Sequence, residues 1–255
     1  MKLQQNLNSM INPESSPIQP DPSRLIEKIG LKIPLIGFYD SPGTDPFEPL
    51  VKPGKTGHNC VFAFFKQWLK GKTLHLTKDH YGCGGAGHWI CGIEGRSRED
   101  YLDFLVNTEG LKSSFELMDK WLDHTKPYQQ EHANLLIGPL KKDQYPFLKT
   151  VTFWANPDQL SALMIGAEYN ASPDDPFPVI APFGSGCMQM STLLTDHNIP
   201  QALIGTTDIA ARKYIPQDLL AFTVTRPMFE NLCKLDEKSF LYKSFWRELK
   251  KIRQR

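Results

Sequence analysis

The sequence predicts an α/β or α+β fold, a mixed sheet covered by helices, on three observations. Segments of strand character alternate with segments of helical character along most of the chain, which favours a covered sheet over a bundle or a sandwich. Helix ends are punctuated as helices require, most clearly at Asn156-Pro-Asp, where Asn caps, Pro fits the first turn and Asp suits the positive end of the helix dipole. Glycines close the apolar runs at Gly30 and Gly71. Strand order is not readable from these signals.

Residues 1–22 are polar, hold prolines at 13, 17, 20 and 22 and contain no aromatic residue, so they read as a weakly ordered lead-in. One domain is expected over 23–255. Residues 23–30 read as a short helix with Ser23 as its cap and Gly30 as its stop, and a strand follows at 35–39. The stretch 40–57, with four prolines and three glycines, reads as a long surface loop of the kind that often carries function. Residues 61–69 suit a buried helix, and Thr73-Leu-His-Leu-Thr77 alternates as a strand running into the glycine turn Gly82-Cys-Gly-Gly-Ala-Gly87. Helices are expected at 99–106 and 114–124, the second introduced by Ser113 and Glu116 at capping-box spacing. Strands are expected at 134–138, 151–155, 179–181, 202–205 and 220–225, with a helix from Asn156 to Met164. At the end of the chain Leu241, Phe245, Leu249 and Ile252 share one helical face, rimmed by Lys243, Arg247, Lys250, Lys251, Arg253 and Arg255, which predicts a helix docked on its own domain.

Lys and Arg total 29 against 28 for Asp and Glu, a net +1 that removes the electrostatic reason to expect nucleic-acid binding. No apolar run approaches the ~20 residues of a membrane span, and the first residues do not read as a signal peptide. A cytoplasmic protein with no membrane partner is expected. Self-association is expected only on the general frequency of homo-oligomers.

Five cysteines, Cys60, Cys83, Cys91, Cys187 and Cys233, are too few and too odd for a disulfide scaffold and direct attention to thiol or metal chemistry. His80, Cys83, His88 and Cys91 fall within twelve residues at the spacing of a metal knuckle, a donor set suited to zinc. A structural reading of the same run is a glycine turn with exposed histidines and a buried Cys91. Cys60, Cys83 and Cys187 each sit beside a glycine, an asparagine or a turn, where a thiol can face a ligand. Cys187 follows Gly184-Ser185-Gly186 at the start of an expected helix, whose free amides favour a thiolate and can hold an anion. Gly84 and Gly85 permit close approach of a ligand to the backbone, yet the turn matches neither a phosphate loop nor a dinucleotide fingerprint. Asp208 and Arg212 have the spacing of a surface ion pair, with anion binding by Arg212 as the alternative.

Several of these segments occur together and in order: Asn59-Cys60, Lys72-Thr-Leu-His-Leu76, Cys83-Gly-Gly-Ala86, Trp154-Ala-Asn-Pro-Asp-Gln-Leu160, Phe183-Gly-Ser-Gly-Cys187, Gly205 through Arg212, and Ala221-Phe-Thr-Val-Thr-Arg-Pro227. In this the chain resembles the uncharacterised domain-of-unknown-function family 169 over residues 25–232. The resemblance transfers no reaction. It implies that Cys60, Cys83 and Cys187 match the recurring pattern, while His80, His88 and Cys91 are particular to this chain. The turn reads Cys-Gly-Gly where the family pattern is Cys-Pro-Gly-Gly.

Three functions follow as expectations. The first is a metal or cofactor protein in which Cys60, Cys83 and Cys187 ligate an iron–sulfur cluster or zinc, with Gly84, Gly85, Ser185, Gly186 and Arg212 around the bound group. The second is a thiol enzyme with Cys187 as nucleophile and His58 or His80 as base. The third is a protein that binds a small anion without chemistry.

Overall fold

The computed structural model describes residues 20–54, 60–77, 79–80, 97–124, 128–172, 178–181 and 196–253. Eight strands, β1 (Ile36–Ser41), β2 (Leu50–Val51), β3 (Thr73–Leu76), β4 (Asn134–Pro139), β5 (Leu148–Ala155), β6 (Val179–Ile180), β7 (Ala202–Gly205) and β8 (Leu220–Thr225), form one sheet in the order β2-β3-β4-β1-β5-β8-β7-β6. The β2–β3 and β6–β7 pairs at the two edges are parallel and the pairs between them antiparallel. This is the mixed, helix-covered sheet that the alternation predicts.

The order contains a duplication. Read outward from the central β1–β5 pair, the first half runs β1, β4, β3, β2 and the second β5, β8, β7, β6. The two halves are related by an approximate two-fold axis through the middle of the sheet. The register repeats as well. The parallel pairs begin at Leu50 and Thr73 in one half and at Val179 and Ala202 in the other, the same separation along the chain. Equivalent connections cover the same face. Phe47, between β1 and β2, and Ala162 and Leu163, between β5 and β6, lie in one core. Tyr128, before β4, and Ala211, Ile215 and Leu219, before β8, lie in the other.

Strand alternation divides the side chains between these two cores. Tyr39, Leu136, Val151, Phe153, Phe222 and Val224 face the first, beneath the helices Ser23–Ile29, Pro157–Glu168 and Arg226–Cys233. Ile36, Phe38, Leu74, Leu76, Leu135, Ile137 and Trp154 face the second. There Phe62, Phe65 and Trp68 are spaced by three, and each phenylalanine packs edge-on against both Trp68 and Trp154. That spacing explains a departure from the expected single helix over 61–69. Residues at i and i+3 eclipse in a 3₁₀ turn, and the segment is a 3₁₀ turn, Val61–Phe64, leading into one α turn, Phe65–Trp68.

Other expectations need correction. Residues 40–57 are not simply a surface loop: β1 continues through a fully buried Asp40, a 3₁₀ turn spans Asp45–Phe47 and β2 follows, because Phe47 plugs the first core against Tyr39. Ser23 does not cap the first helix but bonds back to Asp21. Ser114, rather than Ser113, receives the amide of Leu117 at the start of Phe115–His124. The helix expected over 99–106 is an α-helix, Arg98–Asp103, running into a π turn, Phe104–Thr108. Helix Arg226–Cys233, which follows directly on β8 with Pro227 in its first turn, was not legible. The Asn156 start holds fully: its side chain accepts from Gln159 N while Gln159 returns to the Asn156 amide.

The last helix, Ser244–Arg253, docks on its own domain as predicted, with Leu241 and Leu249 of the expected stripe on the first core but Trp246 as the buried residue of the helix. Trp246 is the buried residue, its indole N–H donating to Lys28 O at 2.8 Å, with Lys250 on the same carbonyl and Arg253 paired to Asp158. Phe245 and Ile252 are exposed. Trp246→Ala is therefore expected to lower stability by about 3 kcal/mol or more, and Phe245→Ala by less than about 0.5 kcal/mol, as read from denaturant midpoints. Equal losses would show that the helix docks through its apolar stripe.

Candidate functional site

Asp40 is the least expected side chain of the second face. It ends a strand of apolar residues and is fully buried between β4 and β5. Its Oδ2 accepts from Tyr128 Oη at 2.9 Å and from the Glu131 amide at 2.6 Å, and its Oδ1 from the His132 amide at 2.8 Å. A carboxylate so held fixes the chain entering β4. Burial, and then the Asp40 charge, push the Tyr128 hydroxyl far above its ordinary range, so it stays protonated and donates.

The loop that Asp40 holds brings further donors. The His132 Nδ1 lies 3.4 Å from Asp40 Oδ1 without the alignment of a hydrogen bond, and it is buried with no other partner. The Glu131 carboxylate completes a group whose ligand atoms all lie within 4.8 Å of one another, and such a group can hold a metal ion. Glu131 is paired with Lys149 at 2.7 Å, and that ammonium holds its carboxyl below the usual range. These residues gave no short-range signal. Asp40 and the 128–132 segment are far apart in sequence, and Asp-Ser-Pro-Gly at 40–43 reads as a turn.

The rest of the second face is unusually polar for a covered sheet. The threonines 150, 152, 223 and 225 of β5 and β8 are buried on it, opposite the valines and phenylalanines of the first core, and Thr152 and Thr223 share a hydrogen bond at 2.9 Å. Trp68 and Trp154 stack with centroids 6.4 Å apart, and each indole N–H is buried without an acceptor. Cys60 is partly buried against this face.

Cys83, Cys91, Cys187, His58, His88, Gly84, Gly85, Ser185 and Gly186 lie outside the described residues. Their flanks are described. His80 bonds through Nδ1 to Pro53 O at 2.8 Å. His197 packs edge-on against Tyr128 with ring centroids 5.7 Å apart. Arg212 donates to Leu219 O at 2.5 Å and Gln217 O at 2.8 Å, shaping the turn before β8, while Asp208 accepts the Ala210 amide as an N-cap. Cys233 belongs to the first core, and burial pushes its thiol up to about 12, so at neutral pH it is a packing residue.

On the opposite face of β3, buried His75 bonds Asn134 Oδ1 through Nε2 at 3.0 Å. Burial lowers its proton affinity below the ordinary 6.5. The unfolded chain therefore takes up this proton first. The contribution of neutral His75 is complete above pH 6.5 and is lost as pH falls through the lowered folded value. The stability difference between wild type and His75→Asn is expected to shrink between pH 7 and 5 in denaturant titrations; a constant difference contradicts this.

No helix among the described residues is long and apolar enough to cross a membrane. No curated protein and no solved structure matched the chain. A family model does match, over residues 24–234, which include the strands, Cys60, Cys83, Cys187 and the Asp40 group. The chain belongs to that family, DUF169, described as uncharacterised ArCR.

Proposed function

We propose that this protein carries a metal centre, an iron–sulfur cluster or zinc, held by the thiolates of Cys60, Cys83 and Cys187 over the second face of the sheet. One observation carries the reading. Cys60 lies in the connection from β2 to β3 and Cys187 in the equivalent connection from β6 to β7, and each stands three residues after a glycine, Gly57 and Gly184. Crossovers between parallel strands are almost always right-handed, so two related by a two-fold axis normal to the sheet pass over the same face. The first passes over the second core, where Val61, Phe62, Phe65 and Trp68 are buried. On this reading duplication would put the two thiols on one face, on either side of the axis, with Cys83, three residues after His80 in the sequence, as the third ligand. The glycine amides at 84, 85 and 186 and the Ser185 hydroxyl would surround the centre, and the buried threonines and indole N–H groups supply polar partners beneath it.

The test is purification without oxygen, followed by metal analysis and visible absorption. Bound iron with charge-transfer bands, or stoichiometric zinc, supports the reading. Metal-free, colourless protein that takes up neither metal on reconstitution rejects it. A thiol enzyme using Cys187 keeps one observation in its favour: His80, bonded through Nδ1 to a carbonyl, has the orientation of a base presenting Nε2. It requires a Cys187 thiol that alkylates at neutral pH in metal-free protein.

A further inference from the structure

We propose a second, separate metal site: Asp40, Glu131 and His132 bind one divalent cation through oxygen and nitrogen, and the Lys149 ammonium competes with that cation for the Glu131 carboxylate. Two donors that are each about 2.1 Å from one ion and about 110° apart stand about 3.4 Å from each other. The Asp40 Oδ1 and His132 Nδ1 are 3.4 Å apart and make no hydrogen bond. The nitrogen is buried and has no other partner, whereas a neutral imidazole in a packed site ordinarily satisfies both of its nitrogens. Asp40 is oriented for this role by its other contacts. Tyr128 and the Glu131 amide saturate Oδ2, and Oδ1 accepts only the His132 amide, which leaves a lone pair toward Nδ1. The Glu131 carboxylate is the exposed third ligand and gives the ion its way in.

Lys149 is what sets the affinity. Its side chain is only 16% exposed, yet its charged end is directed at the same carboxylate, 2.7 Å from Oε2. A metal bound by Glu131 either leaves this amine without its partner in a poorly solvated place or stands beside it at short range with little screening. Either outcome opposes binding, so the site takes up metal only when the ion exceeds the competition of the protein's own cation. Two carboxylates and an imidazole suit manganese or other hard-to-borderline divalent ions, not an iron–sulfur cluster. The site is therefore independent of the thiolates.

The experiment titrates metal-depleted full-length protein with Mn2+, which thiolates bind poorly, and follows free Mn2+ by electron paramagnetic resonance. One ion is expected to bind wild type. Glu131→Gln and His132→Ala, both at partly exposed positions that leave the Asp40 core intact, are expected to weaken binding at least about tenfold, and Lys149→Met to tighten it about tenfold. Lys149→Arg keeps the charge and is expected to resemble wild type. Cys60→Ala is expected to leave Mn2+ binding unchanged. Absence of Mn2+ binding in wild type and Lys149→Met alike, or binding that survives both Glu131→Gln and His132→Ala, overturns the site. Binding that is lost with those two but not tightened by Lys149→Met overturns the role of Lys149.

Discussion

If the proposed thiolate centre is present, Cys60→Ala is expected to abolish its metal and any visible absorption that comes from it while leaving the protein folded, with Cys187→Ala doing the same and Cys233→Ala doing neither. Cys60 is partly buried at the lip of the second core, so loss of its sulfur removes little packing and stability should fall by no more than about 1 kcal/mol. A ligand shared between the two crossovers cannot be replaced from one side only, so each single change has the effect of both. Cys233 is the internal control. It is a free cysteine of similar exposure, but it packs in the first core with its thiol held neutral by burial. A reading in which the cysteines are structural predicts the reverse order, with Cys233 costing most and no change in metal content.

The second large effect is on folding. Asp40→Ala leaves the buried Tyr128 hydroxyl and the part-buried amides of Glu131 and His132 without their acceptor. Each unsatisfied buried donor costs about 1–3 kcal/mol, so a loss of at least about 3 kcal/mol is expected from thermal or denaturant unfolding. Asp40→Asn keeps the size and one oxygen but replaces an acceptor with an NH2, and it should recover part of that loss. If Asp40→Ala unfolds at the wild-type midpoint, the hydrogen bonds around Asp40 do not secure the entry to β4.

The elements of the fold were legible where the signal was local. The Asn156-Pro-Asp start, the strands of β4, β5, β7 and β8 and the stop at Gly30 all follow from caps, alternation and glycine conformation within a few residues. The duplication was not, because it is a property of strand order and register. Its halves share strand order and the length of the β2–β3 and β6–β7 connections but little sequence, and the Gly-x-x-Cys match at 57–60 and 184–187 becomes meaningful only once β2–β3 and β6–β7 are seen as equivalents. Within the sequence alone Gly82-Cys83-Gly84 and Ser185-Gly186-Cys187 look the more alike, each a cysteine in a glycine-containing run. Asp40 was hidden for a different reason. A carboxylate followed by Ser-Pro-Gly has the composition of a turn, and its burial depends on donors delivered by residues 128–132. The terminal helix was half legible: Leu249 of the expected stripe packs on the core, but Phe245 and Ile252 face outward and Trp246 is turned inward, its indole bonded to the Lys28 carbonyl, a bond that hydrophobic periodicity does not register.

X-ray absorption at the metal edge of anaerobically prepared protein separates the thiolate centre from every alternative raised by the fold. A shell of sulfur neighbours about 2.3 Å from the metal, lost in Cys60→Ala and retained in His132→Ala, is the expected result. A first shell of nitrogen and oxygen alone, unchanged by Cys60→Ala, would contradict it and leave the cysteines of the two crossovers without a metal to hold.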